Sequence, residues 1–130
     1  MLKNYRTIFM MPLLAFALSQ AAPAQTCDNV RITIKNSTPD EIKVKRLEYA
    51  DGATFFTETG IFGVDGFQKL NPNQSVPFTR DLEHVGGSTT RIRVTYAHHI
   101  GGSKWGPDRT FETTSFTCID AASRLVDIKE

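Results

Sequence analysis

The sequence predicts an all-β protein: a small antiparallel two-sheet sandwich, immunoglobulin-like, of about seven strands. Three observations lead there. Between Thr90 and His98 the apolar residues Ile92, Val94 and Tyr96 alternate with Arg91, Arg93 and Thr95, the period of a strand with one face in a core. Shorter stretches repeat that alternation, separated by turn-forming clusters at intervals of roughly 8–15 residues. Beyond the first 24 residues no stretch carries the 3.6-residue apolar period of a helix.

The N-terminus reads as an address. Lys3 and Arg6 precede an apolar run from Thr7 to Leu18, and Ala22-Pro23-Ala24 follows. A basic start, a short apolar middle and an A-x-A site define a secretory signal peptide. The run is shorter than the roughly 20 residues a membrane-spanning helix needs. Cleavage is expected after Ala24, giving a signal peptide over 1–24 and a single β-sandwich domain over 25–130. Thr26 precedes Cys27 where lipid attachment wants a smaller residue, so Cys27 is available for a different bond. The expected localisation is secreted or periplasmic.

The first strand is Val30, Ile32 and Ile34 alternating with Arg31, Thr33 and Lys35, and Asn36-Ser-Thr-Pro-Asp40 ends it with turn formers. In the second, Ile42 and Val44 share one parity and Leu47 and Tyr49 the other, a slip that predicts a β-bulge near Lys45 and Arg46 or a crossing between sheets. Asp51-Gly52 is a hairpin turn into Ala53–Glu58. Thr59–Leu70, with three glycines, reads as a loop or short irregular strand. Asn71–Ser75 turns the chain into a strand with Val76, Phe78 and Leu82, where Pro77 favours an edge position. Glu83–Ser88 reads as a loop, and the Thr90–His98 strand follows. Ile100–Asp108 is read as a loop holding Trp105. Arg109–Cys118 is read as one strand, bent because Phe111 and Phe116 differ in parity. Val126 and Ile128 mark a final short strand. Ile-Thr-Ile-Lys-Asn-Ser-Thr, residues 32–38, resembles the first strand of many secreted sandwich proteins. A small barrel or an aegerolysin-like sandwich fits the same pattern.

Cys27 and Cys118 are the only cysteines. An even count in an exported chain predicts a disulfide. It would tie the terminal strands together and close a loop of about 90 residues, worth roughly 4–5 kcal/mol in the chain-entropy model. Of 15 Lys+Arg, 13 remain once Lys3 and Arg6 are removed, against 14 Asp+Glu. That balance argues against nucleic acid as a partner, since phosphate binding needs a basic excess.

The chemistry-bearing motifs are weak. His98 and His99 are adjacent in a strand and point to opposite faces, so they do not share one ion; His84 or Asp108 would have to complete a site with one of them. The preferred reading of His98 is a partly buried, hydrogen-bonded histidine. No H-E-x-x-H, C-x-x-C or G-x-S-x-G occurs, and no metal or cofactor is expected. Glu48, Glu58, Glu83 and Glu112 are available for glycoside hydrolysis, but Glu48 is expected to face water, where its acidity stays ordinary. An enzyme is therefore not expected. Arg31, Lys35, Lys43, Arg91 and Arg93 would make a basic face if their strands were neighbours. Asn36-Ser-Thr and Asn73-Gln-Ser match the glycosylation sequon.

Aromatics among glycines are the better signal. Trp105, Phe62 and Phe67 are the candidate binding residues, because rings on the loops of a sandwich suit a sugar ring or a protein groove. The expected function is a non-catalytic binding protein that presents loops to a protein or glycan partner. The alternatives are a membrane-active protein acting through Phe55–Phe67, or a small hydrolase or inhibitor.

Overall fold

The computed structural model describes residues 25–130, so the expected signal peptide over 1–24 lies outside the described residues. The described residues hold no helix and eleven strands: β1 (Gln25–Asn36), β2 (Ile42–Asp51), β3 (Thr54–Thr57), β4 (Gln68–Leu70), β5 (Ser75–Gly86), β6 (Thr89–Thr90), β7 (Ile92–Gly101), β8 (Lys104–Trp105), β9 (Arg109–Glu112), β10 (Phe116–Thr117) and β11 (Ser123–Ile128). One sheet has the order β11-β1-β5. The other has the order β3-β2-β7-β8, with β4 also paired to β2 and β9 to β7, and β6 with β10 makes a separate ribbon. All pairings are antiparallel except β1 with β11, which runs parallel from Arg31↔Ser123 to Asn36↔Ile128. This is the all-β sandwich the alternation predicts; its strand order does not establish an immunoglobulin-like arrangement.

The core lies between the two sheets. Ile32 and Ile34 of β1, Leu82 of β5 and Val126 and Ile128 of β11 meet Val44, Leu47 and Tyr49 of β2 and Ile92, Val94 and Tyr96 of β7 in one buried cluster. Each such aliphatic side chain taken from water contributes about 1.5–3 kcal/mol, set against the entropy of ordering the chain. The expected slip in β2 is a bulge: its register on β7 shifts between Val44 and Arg46. Because of it, Ile42 and Val44 before and Leu47 and Tyr49 after all reach the core. Pro77 sits in β5, an edge of its sheet, where a missing N–H costs no ladder bond.

Four boundaries differ from expectation, each because a tertiary partner extends or interrupts a local pattern. β5 continues through the expected loop at Glu83–Ser88 as far as Gly86, which pairs with Gln25. The Thr90–His98 strand is broken at Arg91, since Thr89–Thr90 pair with β10 while Ile92 onward pairs with β2. The expected single strand Arg109–Cys118 is two: β9 follows β7 and β10 follows β6, with Thr113–Ser115 between them. The stretch read as a loop around Trp105 is a hairpin, Trp105 pairing with His99.

Cys27 and Cys118 form the expected disulfide, both fully buried. Cys27 belongs to β1, but Cys118 lies just past β10 and not in the last strand, so the bridge joins β1 to the segment that leads into β11. A closed bridge belongs to an oxidising environment. Asn36 closes the other end of β1. It is fully buried, and its amide donates to the carbonyls of Asp40 (2.8 Å) and Leu70 (2.9 Å). Its Oδ1 accepts from the Thr38 N–H (3.0 Å) and hydroxyl (2.7 Å). The Asn36 sequon is therefore an internal turn clamp, whereas the Asn73 sequon is on the surface.

Candidate functional site

The outer face of the larger sheet carries two groups of charged and aromatic side chains, placed there by strand register. At one end, Glu48 of β2 lies opposite Arg93 of β7 and Thr57 of β3, and Arg93 lies opposite Glu112 of β9. Arg93 donates to both Glu48 oxygens, at 3.2 and 2.9 Å, and Arg91 donates to Glu112 at 3.2 Å. Both guanidiniums stack on Phe55, 3.6 Å from its centroid for Arg93 and 4.8 Å for Arg91. The hydrogen bond to Glu48 raises the Arg93 pKa further, so the guanidinium stays charged. Glu48 was expected to face water and does not. It points away from the core as its parity requires, but Arg93 and the neighbouring strands cover it, leaving 5% exposed.

At the other end, Lys43 of β2 lies directly opposite Lys69 of β4 and Ala97 of β7. Across the β7–β8 hairpin, His99 lies opposite Trp105, their ring centroids 5.1 Å apart. The Lys43 ammonium sits 4.7 Å from the Trp105 ring centroid and 5.1 Å from that of Phe67, and the Lys69 ammonium 5.8 Å from Trp105. Lys43, Phe67, His99 and Trp105 are half-buried, and Lys69 and the neighbouring Lys104 are exposed. Nearby Lys45 pairs with Asp108 at 2.6 Å. Among the described residues, neither Lys43 nor Lys69 has a carboxylate within the 4.0 Å of an ion pair.

Of the three candidate aromatics, two meet here. Trp105 and Phe67 converge on Lys43. Phe62 does not join them: it packs edge-on against Phe78, 5.7 Å between centroids, at the margin of the core. The basic face imagined from Arg31, Lys35, Lys43, Arg91 and Arg93 is divided. Arg31 and Lys35 belong to the smaller sheet, and Arg91 and Arg93 are matched by acids. Sequence reading missed Lys69 and His99 as companions of Trp105. Their signal lies in pairing register, which a three-residue strand inside an irregular stretch does not announce.

The histidines separate. His98 is buried, as its parity predicts, and its Nε2 donates to Glu130 at 2.6 Å. Its Nδ1 lies 3.4 Å from Asp40, without hydrogen-bond geometry. Arg109 also donates to Glu130, at 2.5 Å. The His98 hydrogen bond, aided by Arg109, holds the Glu130 carboxyl below the usual carboxylate range. The carboxylates lie on opposite sides of the imidazole, so the group clamps strand ends and does not converge on an ion; Asp108 is with Lys45, and His84 stacks on Phe56 at 5.4 Å. Among the described residues no three histidine, cysteine or carboxylate side chains are grouped to hold a metal.

A polar cleft of about 320 Å³ opens between β3 and β5, lined among others by Tyr49, Phe56, Glu58, Arg80, Asp81 and Glu83. Much of its charge is matched internally. Arg80 donates to Glu58 at 2.8 Å, and the Asn29 N–H, at a bulge where Asn29 takes φ 55°, donates to Asp81 at 2.8 Å. The lysine–tryptophan face differs in that, among the described residues, Lys43 and Lys69 are matched by no carboxylate. Comparison with protein-family models, with curated proteins and with solved structures finds no match to this chain.

Proposed function

We propose that this chain is a non-catalytic binding protein of the secreted or periplasmic space, which presents the Trp105–Phe67–Lys43–Lys69 face to a protein or glycan partner. The observation that carries the reading is the convergence of Trp105 and Phe67 on a lysine that has no acidic partner among the described residues. Half-buried rings held in fixed geometry offer contact area at little ordering cost, which is what a recognition surface needs. The setting supports it as well: a disulfide-tied sandwich is a rigid scaffold suited to an oxidising compartment.

Binding is favoured over hydrolysis because Glu48, Glu58 and Glu112 are each held by an arginine. It is favoured over membrane insertion because the phenylalanines of the Phe55–Phe67 segment are engaged, under Arg91 and Arg93, against Tyr49 and His84, against Phe78, and beside Lys43. The test is capture of a partner from culture fluid or periplasm by the purified protein. Trp105→Ala is expected to lose the captured partner while its circular dichroism stays that of the wild type. Undiminished capture by that variant would remove the face from consideration.

A further inference from the structure

We propose that the Trp105 face docks an acidic polysaccharide, sugar rings lying on the indole and carboxylate or sulfate groups on Lys43 and Lys69. This rests on the binding reading above and adds the chemistry of the partner. The two ends of the same sheet face supply the argument. At one end, Arg91 and Arg93 stack on an aromatic ring and each has its own carboxylate. At the other, Lys43 and Lys69 lie over an aromatic ring with no carboxylate partner among the described residues. Like charges directly opposite on paired strands repel, which disfavours the fold locally. Lys43 and Lys69 face one another across the β2–β4 pair, their ammonium groups 4.7 and 5.8 Å from the same indole centroid, so one anionic group lying on the indole is within reach of both side chains. The negative face of the indole holds both lysines in place before any ligand arrives.

The chemistry of the surroundings selects a glycan over other anionic partners. At Lys43, β2 is hydrogen-bonded on both sides, to β4 and β7, so it has no free edge there for an extended peptide to join. β4 and β8 are each paired on one side only, so the choice rests on the side chains of the face: a flat indole flanked by ammonium groups matches a ring that carries an acid. A lipid surface would need a contiguous apolar patch. The exposed large apolar residues among those described, Val64, Ile100, Ile119 and Leu125, are single positions on four different segments of the chain and not an apolar run.

Trp105 is the only tryptophan in the chain, so indole fluorescence, excited selectively over that of the tyrosines, reports on this face. The experiment titrates the purified protein with polygalacturonate, heparin and neutral dextran, at low and high salt, with anionic phospholipid vesicles in parallel. A saturable change with polygalacturonate, heparin or both, absent with dextran and weakened by salt, is expected, and which polymer responds separates carboxylate from sulfate recognition. Lys43→Gln/Lys69→Gln should bind the responding polymer about tenfold more weakly at low salt, the scale of two exposed charge contacts, with an unchanged circular dichroism spectrum. Silence with both acidic polymers, an equal response to dextran, a stronger response to vesicles, or unchanged affinity in the double variant would each overturn the proposal. The partner-capture assay keeps its failure apart from that of the binding reading. Capture lost in Trp105→Ala but kept in Lys43→Gln/Lys69→Gln retains the face and rejects an acidic ligand, whereas capture kept in both rejects the face itself.

Discussion

Replacing both bridge cysteines by alanine, Cys27→Ala/Cys118→Ala, should remove a large share of the stability of this domain. The bridge spans a sequence separation of 91 residues. In the chain-entropy model a closed loop of that length lowers the entropy of the unfolded chain enough to contribute about 4–5 kcal/mol at 25 °C. A domain of this size has a net stability of roughly 5–15 kcal/mol, so the loss takes about a quarter or more of it. Alanine is the sharper probe than serine, because both side chains are fully buried and a hydroxyl there would add an unsatisfied polar group. The assay is equilibrium urea unfolding of the oxidised wild type and the variant, followed by fluorescence and circular dichroism. The midpoint should fall sharply, and the slope should rise because the untethered chain exposes more surface when unfolded. A loss below about 1 kcal/mol with the native spectrum intact would refute the loop-closure argument.

Other outcomes follow from the charged groups. Arg93→Ala leaves Glu48, 5% exposed, with its charge uncompensated, and should cost about 3 kcal/mol in urea unfolding; Glu48→Gln/Arg93→Met, which removes both charges, should recover part of that. Acid should weaken the fold through two carboxylates near the end of the chain. The Ser37 hydroxyl donates to Asp127, and His98 and Arg109 donate to Glu130, which holds both acids below their ordinary values of 3.8 and 4.5. A lowered folded-state pKa contributes stability that is present above the ordinary value and lost as pH falls through the lowered one. The melting temperature should therefore drop as pH falls below about 4.5, and Glu130→Gln should flatten that drop, being partly exposed and so only in part; an unchanged profile in Glu130→Gln would assign the acid loss elsewhere.

Much of the architecture was legible because it is written in parity. Ile92, Val94 and Tyr96, or Ile32 and Ile34, name the core face by occupying every second place. The bulge in β2 was legible for the same reason, since two apolar pairs of opposite phase cannot share one face without an inserted residue. The disulfide was legible because two cysteines allow one pairing. What parity does not carry is the identity of the neighbour. Glu48 was assigned to the outward face correctly, yet outward meant under Arg93 and not in water. The Thr89–Thr90 pairing to β10 left no local trace. In the candidate site, the aromatic residues Trp105 and Phe67 stood out by composition, but their meeting at Lys43 depends on a register between strands far apart in the chain. Phe62 has the same composition signal and a core-side partner instead.

The parallel union of β1 with β11 gives the molecule a particular history of assembly. The central ribbon of the smaller sheet gains its second neighbour only from β11, far along the chain from it, so that layer stays incomplete until β11 has been made. Contacts of such long reach place folding among the slow, millisecond-to-second cases, and favour an all-or-none finish over stepwise growth.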